Sequence, residues 1–61
     1  MFRFEITISE FRFGYYYHHT YVFNKDASKV DKTQILYVLE RSIAMLHPDA
    51  DIIQETITKI M

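Results

Sequence analysis

The sequence predicts an α+β domain, a three-stranded antiparallel sheet with one helix in the order β-β-α-β, on three observations. Residues Phe2 to Ser9 alternate apolar and polar without a break, the period-2 mark of a half-buried strand. Gly14, the one glycine of the chain, separates that run from a second aromatic and β-branched run, as a tight hairpin requires. Lys32 to Leu46 then carries apolar residues at helical spacing, and Pro48 forces a stop.

If Phe13-Gly14 is a two-residue turn, Phe4 lies opposite Phe23, Ile6 opposite Tyr21 and Ile8 opposite His19, an almost wholly apolar face of cross-strand pairs. The other face is mixed, with Glu5, Thr7, Ser9 and Phe11 meeting Val22, Thr20, His18 and Tyr16. The first face should carry the core, which leaves the Phe11/Tyr16 end for contact with something else.

After the polar stretch Asn24 to Lys29, Asp31 is a good N-cap, with Gln34 at N3 and Val30 and Ile35 placed as a hydrophobic staple. In the helix, Ile35, Val38, Leu39, Ser42, Ile43 and Leu46 form one stripe expected to pack on Phe4, Ile6, Tyr21 and Phe23. Ala50 to Met61 is ambiguous. Ile52, Ile53, Thr56, Ile57 and Ile60 fit a helical stripe, while six residues of the segment are β-branched. As a strand it would show Ile53 and Ile57 on one side and Ile52 and Ile60 on the other; the alternative architecture is a β-hairpin plus two helices.

Sixty-one residues make a single domain, 1–61. A chain this short buries only about 60% of the surface its unfolded form exposes, so it needs a staple or a partner subunit. There is no cysteine, and His18, His19 and His47 lack a third ligand at metal-binding spacing, so neither a disulfide nor a structural metal is expected. Self-association as a homodimer is the remaining support. Seven Lys/Arg against eight Asp/Glu are too balanced for direct binding to duplex DNA. No stretch approaches the ~20 apolar residues of a membrane span and no signal-peptide core follows Met1, so the expectation is a cytoplasmic protein with no membrane partner.

Catalysis is not expected. His18 and His19 point to opposite strand faces, and no Ser/His/Asp order, HExxH, glycine-rich phosphate loop or paired carboxylate is present; no cofactor is implied. Tyr15, Tyr16 and Tyr17 with Phe11 and Phe13 could stack single-stranded bases, but on the hairpin Arg3 and Arg12 are offset by Glu5 and Glu10. On the helix, Thr33, Tyr37, Glu40 and Ala44 follow a line opposite the apolar stripe. Two such helices side by side in a dimer would enclose a pocket walled by tyrosine, an effective interface anchor, with an acidic rim from Glu40.

Phe4-Glu5-Ile6-Thr7-Ile8, Gly14-Tyr15-Tyr16-Tyr17-His18-His19, Ile35-Leu36-Tyr37 and Ala50-Asp51-Ile52-Ile53, in that order and spacing, make the chain resemble the very short uracil-DNA glycosylase inhibitors of small protein-primed Bacillus phages. The resemblance spans most of the chain. It implies the β-β-α-β fold, a homodimer, and a host uracil-DNA glycosylase as partner in the host cytoplasm. Such an inhibitor occupies the enzyme's DNA-binding cleft as a DNA mimic and holds in an apolar dimer pocket the side chain inserted into the minor groove. It assigns the helix tyrosine to Tyr37 and the second-strand tyrosines to Tyr16 and Tyr17. Thr33 and Gln34 stand where that family has phenylalanine and an acid, and Tyr17 or His18 where it has a second-strand acid, so the pocket wall and the phosphate-mimicking charges must come from other residues. A small phage module that binds single-stranded nucleic acid through the hairpin aromatics is the alternative.

Overall fold

The computed structural model covers residues 1–61 and contains β1 (Phe2–Arg12), β2 (Tyr15–Lys25), α1 (Lys32–Leu46) and β3 (Asp51–Lys59). The order of elements is therefore β-β-α-β. The three strands form one antiparallel sheet, β2-β1-β3, with β1 in the centre. Since β2 and β3 both oppose β1, they run in the same direction, and a connection between like-directed strands needs a crossover, which α1 supplies.

The hairpin takes the expected register, from Phe2 opposite Lys25 to Arg12 opposite Tyr15. Phe13 and Gly14 have φ of 51° and 86°, the two positive values that a type I′ turn demands. Gly14 adopts its value at little cost. Phe13 does not, because its Cβ is crowded in the left-handed region.

Only one face of the sheet is covered. Phe4, Ile6 and Ile8 of β1 meet Leu39 and Ile43 of α1, and these five residues are the buried apolar core, with Phe2, Tyr21, Phe23, Ile35, Leu36 and Ala50 packed around it. Asp31 caps the helix by accepting a hydrogen bond from the Thr33 amide at 2.9 Å. At the other end, the His47 amide donates to the Ile43 carbonyl at 2.8 Å before Pro48 prevents another turn.

Two expectations about faces need correction. The helix presents Ile35, Leu36, Leu39, Glu40, Ile43 and His47 to the sheet side, whereas Val38, Ser42 and Leu46, expected in the packed stripe, are exposed. The stripe is rotated because a 3.6-residue period admits neighbouring lines of residues, and the line through Leu36, Leu39 and Ile43 is the one that packs with Phe4, Ile6 and Ile8. The final segment is a strand, which settles the ambiguity of Ala50 to Met61. A register shift at Thr7/Ile8 places Ile52 opposite Ile8 and Ile57 opposite Phe4. Ile52 and Ile57 therefore share the helix-facing side, since a bulge inserts one residue and reverses the alternation beyond it.

The strands outrun the helix. Eleven strand residues span about 36 Å, while fifteen helical residues span about 22 Å, so the hairpin beyond Glu10 projects past the end of α1. The radius of gyration, 12.6 Å, exceeds the roughly 10.5 Å of a compact domain of this length. The accessible surface, 4774 Å², likewise exceeds the roughly 4,200 Å² expected of a compact chain of this mass.

Candidate binding surface

The outward side of α1 gathers part of the expected site. Thr33, Gln34, Tyr37 and Val38 line a shallow depression of about 600 Å³. It adjoins a groove of about 430 Å³, shared through Gln34 and Val38 and completed by Lys25, Val30, Ile35, Leu39 and Ser42. One turn of helix separates Thr33 from Tyr37, which places the two on the same line. The tyrosine ring is 56% exposed yet held. Arg41 donates from Nη1 to its hydroxyl at 3.1 Å, with the guanidinium carbon 5.8 Å from the ring centroid, an arrangement that adds cation–π attraction. Chemically, the surface offers an apolar patch, the amide of Gln34, the hydroxyls of Thr33, Tyr37 and Ser42, and the cations of Lys25 and Arg41.

The other expected residues lie elsewhere. Glu40 turns toward β3 and hydrogen-bonds Glu55, so it gives the Tyr37 depression no acidic rim. Glu55 sits opposite Ile6 on the helix-facing side. Partial burial, then the hydrogen bond and the like charge of Glu40, push its carboxyl up from 4.5 to about 7. The fold thus makes a carboxylate pair where the sequence, with the two residues fifteen positions apart, showed none. Ala44 is exposed outside the depression. Tyr16 lies on the uncovered sheet face against Phe11, ring centroids 5.0 Å apart, and Tyr17 stands opposite Glu10 near the hairpin end. Neither approaches the walls of the helix depression.

A second constellation was not anticipated. Glu10 continues the even-numbered run Phe2, Phe4, Ile6, Ile8 on the core side and is only 5% exposed. Its Oε2 lies 2.9 Å from His47 Nδ1, and His47 Nε2 lies 2.5 Å from the Tyr21 hydroxyl. Arg12 approaches Oε1 as an ion pair that lacks hydrogen-bond alignment. His19 stacks on His47 at 5.8 Å. This chain ties the C-cap of α1 to both strands of the hairpin. Its one sequence signal is the carboxylate that ends the apolar alternation of β1; the partner His47 lies 37 residues away and nothing local marks it.

Among the histidines and carboxylates, no group of three is placed to hold a metal ion, and no helix is long and apolar enough to cross a membrane. Comparison with protein families, with curated proteins and with solved structures finds nothing that matches this chain.

Proposed function

We propose that this chain is a protein inhibitor of uracil-DNA glycosylase, acting as a homodimer whose opposed α1 faces form the pocket that receives the enzyme's minor-groove-inserting side chain. The observation that carries the proposal is the Tyr37 depression, an exposed, restrained tyrosine with Thr33, Gln34 and Val38 on the uncovered side of the only helix. The resemblance assigned that tyrosine its role, and the β-β-α-β architecture is the one that the resemblance implies. Val38, expected in the core, joins the pocket wall instead and supplies apolar surface that Thr33 and Gln34 lack. Dimerisation is supported by the thinness of the core, five buried apolar residues in 61, and by the apolar groove beside Tyr37. With Glu40 paired to Glu55, phosphate mimicry falls to other carboxylates, with Glu5, Asp49 and Asp51 as candidates.

A uracil-excision assay with added protein tests the proposal directly. Inhibition by the wild type should weaken about tenfold or more in Tyr37→Ala, the loss of an interface anchor, and stay unchanged in the control Lys59→Ala. No inhibition at large molar excess over several bacterial glycosylases refutes it, and a mass near 7 kDa by light scattering at micromolar concentration, with the fold intact, refutes the dimer.

The second reading, binding of single-stranded nucleic acid by the hairpin, draws on the exposed Phe11/Tyr16 pair. Its weakness is electrostatic, since Arg12 is already engaged by Glu10. Tyrosine quenching by oligonucleotides that is reversed by salt would favour it.

A further inference from the structure

The end of the hairpin has no place in the function proposed above. Phe13, at its apex, is 93% exposed on a backbone of φ 51°, where asparagine or glycine is at ease and a bulky aromatic is strained. Neither folding nor burial explains a phenylalanine there. Behind it stand Tyr15, Tyr16 and Tyr17 together with Phe11, all exposed, and they continue to the exposed Leu46 at the helix end, which borders the same depression as Phe11 and Arg12.

Shape and charge narrow the partner. The apex is convex, because the hairpin runs past the helix, so its complement is a concave site. From Phe11 to Thr20 the only permanent charge is Arg12, and Glu10 already engages it. No free cation remains to meet phosphates, and none to be repelled by the basic surface that surrounds a DNA-binding cleft. An apolar tip ringed by tyrosine hydroxyls has the composition of a protein-interface anchor with its polar rim.

We propose that Phe13 is a second anchor of the inhibitor, inserting into an apolar pocket of the glycosylase beside its DNA cleft while the Tyr37 surface engages the cleft itself; this rests on the inhibitor reading. The discriminating variant is Phe13→Asn, which installs the preferred Asn-Gly pair of a type I′ turn. It should melt higher than wild type and yet inhibit roughly tenfold to thirtyfold less well, the loss expected of a buried aromatic hot spot. Such a split between stability and binding cannot arise from misfolding, and Phe13→Leu should retain most of the inhibition.

Equal inhibition by wild type and Phe13→Asn overturns the second anchor and leaves the inhibitor reading intact. Absence of inhibition by the wild type overturns both. The idea also falls if wild type binds phosphatidylcholine vesicles or a single-stranded oligonucleotide, Phe13→Asn does not, and both inhibit alike, because the apex then serves a lipid surface or a nucleic acid.

Discussion

The buried carboxylate of Glu10 should be the most sensitive polar position in the chain. Replacing His47 by alanine removes the partner of Oε2 and leaves Arg12 on the other oxygen, its own side chain largely in solvent. A buried charge stripped of one partner costs about 2–3 kcal/mol, between the loss of a charged hydrogen bond and the breaking of a whole buried pair. The His47 amide-to-carbonyl bond that closes the helix survives the substitution, so the cost belongs to the side chain. Removing both partners is a different experiment. Glu10→Met with His47→Leu takes away the charge together with its donor and leaves apolar groups of similar volume, so the double variant should recover most of the loss. Urea unfolding followed by circular dichroism measures the cycle. For a domain whose stability is of order 5 kcal/mol, His47→Ala should bring the midpoint down by about half, while the double variant stays near wild type. Equal and additive costs for the two single variants, with no recovery in the double, would refute the view that the penalty is that of an orphaned charge.

Three further outcomes follow from the geometry. Glu55 holds its proton up to about pH 7 when folded, against an ordinary value of 4.5. The folded state therefore binds more protons between those values, and stability gained from the shared proton is full below pH 4.5 and is lost as pH rises through 7. Because Glu55 is only slightly buried and most of it faces solvent, screening reduces the effect to about 1 kcal/mol; melts at pH 5.5 and 8 should show wild type gaining on acidification relative to Glu40→Gln. Gly14→Ala meets no atom within 4 Å, so its cost is purely backbone conformation at φ 86°, about 1–2 kcal/mol by chemical denaturation. Ile6→Ala, at the fully buried centre of the sheet, should cost about 3 kcal/mol and lower the amide-exchange protection of the sheet about a hundredfold.

The hairpin was legible because every cue lies within 25 residues. Alternation in β1, one glycine and the pairing of Phe4 with Phe23 all select one register, and a slip of one residue would turn Phe4, Ile6 and Ile8 to the uncovered face. The helix limits were legible for the same local reason, Asp31 at one end and Pro48 at the other. Which of its faces packs was not. Lines through Val38 and through Leu36 satisfy the same period, and which of them meets Phe4, Ile6 and Ile8 is set by how the crossover seats the helix on the sheet. The phase of Ile52 depends on a bulge opposite Thr7 and Ile8, which alternation alone cannot reveal.

The candidate surface divides along the same line. Thr33, Gln34 and Tyr37 come together because helical spacing puts them together, whatever the rest of the fold does. Arg41, one turn beyond Tyr37, joins them by the same spacing, whereas Tyr16 and Tyr17 part from them and Val38 is left exposed beside them only when the helix docks and its rotation is fixed. The element order up to its last segment and the hairpin register are legible along the chain, since they follow from neighbours in sequence, and the lack of cysteine excludes a disulfide outright. That the last segment is a strand, that Glu10 is buried and Phe13 stands free, and that Glu40 faces a second carboxylate emerge only once the elements pack. Each of those depends on what lies opposite in space, and there the energy of a side chain is set by burial and partners more than by its own identity.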